Sequence, residues 1–105
     1  MYKIALTPSF AGERHPFYLN EIEVRILYCL SQGLIIKNIA EIENLSLETI
    51  GDHITMLYKK SKLKLHTHAA LVGWVADNNF YADIKKLAPP DLETKIEAIR
   101  KKAYY

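Results

Sequence analysis

With 105 residues, 50% of them hydrophobic and 25% charged, the chain has material for one compact domain and not for two. Fourteen basic and 12 acidic side chains leave a net charge of +2, which excludes a uniformly basic nucleic-acid coat or an acidic disordered tail, so charged surface has to be local. Apolar runs are broken by Lys, Glu or His well before the roughly 18 residues that span a bilayer. Met1 to Leu6 runs straight into Thr7-Pro8, unlike a signal peptide. A single cysteine, Cys29, can form no internal disulfide, and a reducing, cytoplasmic location is the expectation.

Residues 1–18 read as an N-terminal extension. Tyr2, Ile4 and Leu6 alternate with Lys3 and Ala5 as in one short strand, and Thr7-Pro8, Gly12 and His15-Pro16 then make a loop. This reading gives the strand no partner in the chain, so it is expected to pack on helices, pair with a second copy, or stay simply extended.

From residue 19 to 79 the pattern is helical. Asn20 caps a first helix over 21–32 with Glu23 reaching back, Val24, Leu27 and Leu30 as its apolar face, Ile26 and Cys29 beside them, and Gly33 as its stop. A short second helix spans 36–42 with Ile39 and Ala40 inward. Glu43-Asn44-Leu45 is a tight turn, and Ser46 caps a third helix that runs to Lys60 on a stripe of Ile50, Ile54 and Leu57. Thr67 caps a fourth over 69–77. Residues 80–105 form a C-terminal extension: a helical stretch 81–87, a break at Pro89-Pro90, and an amphipathic helix opened by Asp91. That last helix has Leu92, Ile96, Ile99 and Ala103 on one side, with Glu93 and Glu97 early and Lys101 and Lys102 late, as the helix dipole favours. The fold class is all-α.

Two helices joined by a three-residue turn and supported by a third are helix-turn-helix arithmetic. Leu19-Asn-Glu-Ile-Glu23, Ile26-Leu27, Leu30-Ser-Gln-Gly-Leu34, Lys37-Asn-Ile-Ala-Glu41, Leu45-Ser-Leu-Glu-Thr-Ile50, His53-Ile54, Lys59-Lys60-Ser-Lys-Leu-Lys64 and Ala69-Ala70 follow without a gap. Together they resemble the LuxR-type (GerE-like) helix-turn-helix domain of bacteria, in particular its nitrate/nitrite response-regulator branch. The resemblance implies a four-helix DNA-binding core acting on double-stranded DNA as a homodimer, and at 105 residues no receiver domain is expected beside it. It places Lys37, Ser46 and Thr49 against phosphates and Gly51, Asp52, Thr55 and Met56 toward bases. His53 is a shared position, with helix packing or capping as the other reading. Lys59, Lys60, Lys62 and Lys64 lie along the backbone. It assigns the dimer contact to the fourth helix through Leu71, Trp74 and Val75. Because 69–76 is apolar on every side, the alternative is that residues 1–18 or 81–105 cover it. The stripe of the last helix is likewise either a clamp on its own chain or a contact with a second copy.

Some positions depart from that family. Gly51 and Asp52 stand where donors are common, and Glu43 and Ser61 replace buried leucines, with Ile42 and Leu63 to compensate. Residues 19–78 hold six bases against seven acids, a net −1. The main expectation is a transcriptional regulator controlled by abundance, dimerisation or a protein partner. The alternative is a protein-interaction module on the same scaffold, binding another regulator or RNA polymerase. His66 and His68 lack a third ligand at metal spacing, Cys29 reads as a core filler, and no catalytic set or phosphate loop is present, so neither a metal, a cofactor nor an enzymatic activity is expected.

Overall fold

A computed structural model of the chain describes residues 3–6 and 17–103, with side chains from residue 19 to 102. Tyr2 and the expected loop through Thr7-Pro8, Gly12 and His15-Pro16 lie outside the described residues, as does the side chain of Ala103. The expected strand does have a partner within the chain. β1 (Lys3–Leu6) pairs antiparallel with β2 (Phe17–Asn20), with Lys3 opposite Asn20 and Leu6 opposite Phe17. Phe17-Tyr18-Leu19 has the aromatic and apolar character of a strand, but its position just before a helix cap reads as a lead-in. The fully buried Leu19 anchors this short ribbon to the helical core.

Asn20 ends β2 and also starts α1 (Glu21–Ser31). Its side chain accepts from the Glu23 N–H at 2.9 Å, and Glu23 Oε1 accepts from the Asn20 N–H at 2.9 Å, a closed capping box. Gly33, at φ 85°, ends the helix: its N–H donates to Leu30 O and that of Leu34 to Cys29 O. These bonds satisfy carbonyls that the last turn leaves open. α2 (Ile36–Glu43), α3 (Leu47–Ser61), α4 (His68–Asp77), α5 (Tyr81–Leu87) and α6 (Pro90–Ala103) follow. Ser46 and Thr67 cap α3 and α4 through the N–H groups of Thr49 and Ala70, both at 3.1 Å.

α1 is the central element. Ile26, Leu27 and Tyr28 are buried to 1% exposure or less, and α3, α4, α5 and β2 pack around the helix. The described residues share one hydrophobic core. The open question about the last helix resolves toward the chain itself. Leu92, Ile96 and Ile99 of α6 are buried, and α6 lies on α2, so the last helix is a clamp on its own chain. In α4, Leu71, Trp74 and Val75 are 0, 8 and 2% exposed, covered by α1, α3 and the Phe80 ring, which meets Trp74 edge-on at 5.2 Å. They are therefore not offered to a second copy, contrary to their expected role as the dimer contact. The outward side of α4 consists instead of small residues: exposed Ala69 and Ala76, with half-buried Val72 and Gly73.

Glu43 is held by Arg25, whose Nε approaches both carboxylate oxygens at 2.6 and 2.7 Å. This bond raises the Arg25 pKa further, against the opposing effect of burial. Thus a tie between α1 and the end of α2 occupies a position expected to be apolar. Ile42 is buried and Leu63 packs partly buried against the core, while the Ser61 hydroxyl donates to Tyr58 O at 3.2 Å. No helix among the described residues is long and apolar enough to cross a membrane.

Candidate nucleic-acid interface

The turn between α2 and α3 is Asn44-Leu45-Ser46. Asn44 takes φ 55°, a left-handed conformation that Asn adopts more readily than most residues, and the Leu45 N–H returns to Ala40 O at 3.1 Å. The chain then turns into α3 at its Ser46 cap. Ser46 and Thr49 use their hydroxyls on each other, at 2.9 Å, beside the exposed start of the helix. Lys37, in the first turn of α2, is exposed.

α3 is two-sided. Ile50, Ile54, Leu57, Tyr58 and Ser61 face the core, while Glu48, Asp52, Thr55, Met56 and Lys59 are exposed at helical spacing on the opposite side. Of the residues expected to read bases, Asp52, Thr55 and Met56 are on this outer stripe and Gly51 lies at its margin, half-buried; His53, the shared position, is also half-buried at the margin. The Thr55 hydroxyl donates back to Gly51 O at 3.0 Å, leaving its lone pairs outward. Glu48 was not among the expected site residues, yet it begins the stripe one turn before Asp52, and the i, i+4 spacing was the available signal. Neither carboxylate has a cation within ion-pair distance among the described residues.

The four expected phosphate lysines divide into two groups. Lys60 Nζ lies 2.6 Å from Oε1 of Glu23, whose side chain is 1% exposed, so Lys60 is a strut between α3 and α1. Glu23 Oε2 is buried without a hydrogen-bond partner, which makes the single Lys60 contact important for holding that carboxylate. Lys59, Lys62 and Lys64 are exposed and have no carboxylate within ion-pair distance among the described residues. Beside them the His66 ring stacks on Tyr58, with centroids 4.6 Å apart and planes 4° from parallel, fixing the corner between α3 and α4. Burial raises the Tyr58 pKa, which keeps that phenol neutral.

No group of three or more potential metal-binding His, Cys, Asp or Glu side chains occurs among the described residues. Cys29 is fully buried and its thiol is pushed up to about 12 by that burial, which suits a core filler and not a nucleophile. An open groove of about 370 Å³ separates the end of α1, α2 and α6. Its charges are engaged within the fold: Arg100 donates to Gln32 O at 3.1 Å and Oε1 at 3.0 Å, and Lys102 lies 3.2 Å from Glu41. These bonds fasten α6 in place. Against known proteins, the chain matches no family model, no curated protein and no solved structure.

Proposed function

We propose that this chain is a DNA-binding transcriptional regulator with a helix-turn-helix resembling the LuxR type, acting as a dimer on two half-sites of double-stranded DNA. The observation that carries the reading is α3 itself: tied to α2 by a three-residue turn, mostly polar along its outer stripe, and bearing at and just beyond its end three lysines with no carboxylate within ion-pair distance among the described residues. In this reading Glu48, Asp52, Thr55 and Met56 face base edges, and Lys59, Lys62 and Lys64 follow the backbone. Lys37 and the Ser46 and Thr49 hydroxyls meet phosphates at the other end of the helix pair. A carboxylate accepts a hydrogen bond from cytosine N4, so Asp52 favours a cytosine in the half-site.

Two copies meet through the outer side of α4, where Ala69, Val72, Gly73 and Ala76 leave room for close helix approach. Selection of bound duplexes from a random pool, with the oligomeric state measured alongside, tests the proposal. Enrichment of sites with two-fold symmetry supports it; a pool that stays random counts against base reading.

A second reading is favoured by one observation: Glu48 and Asp52, on the face that would approach an anionic polymer, have no cation within ion-pair distance among the described residues. There the scaffold binds another regulator or RNA polymerase in place of DNA. Charge reversal of both residues separates the two: under the first reading it removes the cytosine preference while strengthening binding to random duplex, and under the second it abolishes partner binding.

A further inference from the structure

Four residues among those described have φ in the left-handed region, each just past the end of a helix: Gly33 at 85°, Asn44 at 55°, Asn79 at 57° and Lys62 at 58°. Glycine has no Cβ to crowd the following carbonyl, and asparagine tolerates this conformation; lysine has neither advantage. Packing does not require a lysine at this position, because its side chain is exposed and has no carboxylate within ion-pair distance among the described residues. Arg25, Lys60, Lys95, Arg100 and Lys102, by contrast, each hold an acid. Lys62 instead lies between the exposed Lys59 and Lys64, where the reading helix ends.

We infer that Lys62 is kept for its charge at a backbone position that disfavours it, trading fold stability for a phosphate contact. The inference rests on the DNA-binding reading above. A competing role is compensation of the negative end of the α3 dipole, which needs a cation but no nucleic acid.

Lys62→Gln and Lys62→Gly separate these roles when duplex affinity is followed across a salt series and thermal unfolding is recorded, with Lys85→Gln as a distant control. Lys62→Gln removes charge and retains the strain. It is expected to make the slope of log K against log salt shallower by about 0.9 for each bound copy and to weaken binding several-fold, with little change in Tm. Lys62→Gly should weaken binding equally and raise Tm by about 4–8 °C. Lys85→Gln changes neither. A Tm that fails to rise in Lys62→Gly overturns the strain argument. A salt slope unchanged in both variants, or Lys62→Gln lowering Tm alone, shows that the charge serves the helix end and overturns the phosphate contact. Wild-type protein without salt-dependent duplex binding defeats the DNA-binding reading itself, and the Tm of Lys62→Gly then still reports the strain separately.

Discussion

Lys60 and Lys59 are sequence neighbours with different roles, and burial of their surroundings decides which is which. The Lys60 ammonium is the cation that meets the buried Glu23 carboxylate, whose second oxygen has no hydrogen-bond partner among the described residues. Lys60→Ala is therefore expected to cost about 1–3 kcal/mol in urea unfolding, with Glu23→Gln milder because the amide oxygen still accepts from Asn20. Charge reversal at Lys60 puts two carboxylates together and so probes folding before it probes DNA. Cys29 supplies a second residue-level prediction. Its thiol, raised by burial from 9.0 to about 12, keeps its proton in the folded chain at a pH where the unfolded chain has lost it. The associated stability is complete below pH 9 and declines as pH rises toward about 12. Native protein should resist thiol reagents at mildly alkaline pH, react once unfolded, and show a shallower alkaline loss of stability as Cys29→Ala. Rapid labelling of the native thiol would contradict this.

At the scale of elements, local chemistry was the legible part. Asn20, Ser46 and Thr67 cap their helices as their types and positions indicate, because a cap depends on bonds within three residues. The exposure of Asp52, Thr55 and Met56 follows from helical period alone. What was not legible lies far apart in the chain: the pairing of β1 with β2 across an intervening loop, and the approach of Lys60 to Glu23 over 37 positions. The inward turn of Leu71, Trp74 and Val75 was hidden by the composition of α4, which is apolar on all sides and so gives no amphipathic signal for direction. Two substitutions test the elements. An added Cβ at Gly51 meets no atom within 4 Å, so Gly51→Ala should stabilise α3 by about 1 kcal/mol in chemical unfolding. Ile96 is fully buried, and Ile96→Ala should cost about 2–5 kcal/mol if α6 is an integral clamp; a change near zero would make that helix an appendage.

For the whole molecule, a net charge of +2 conceals an uneven distribution: about +1 over residues 1–18, −1 over 19–78 and +2 over 79–105. Within residues 19–78, intramolecular pairing removes Arg25 and Lys60 from the positive surface and leaves Lys37 with the trio Lys59, Lys62 and Lys64. DNA affinity then depends on very few phosphate-binding side chains, and a single copy is expected to bind weakly and with strong salt sensitivity, as these few cations must supply nearly all the attraction. The proposed dimer would double their number. The most direct measurement is fluorescence anisotropy of a labelled random duplex against salt concentration, for the wild type and for the triple variant Lys59→Gln, Lys62→Gln, Lys64→Gln. The expected result is binding at low salt whose slope becomes shallower by roughly 0.9 for each phosphate that is no longer neutralised, leaving in the variant only the share that Lys37 supplies. Undetectable wild-type binding at low salt, or a slope that the triple variant leaves unchanged, would contradict the account.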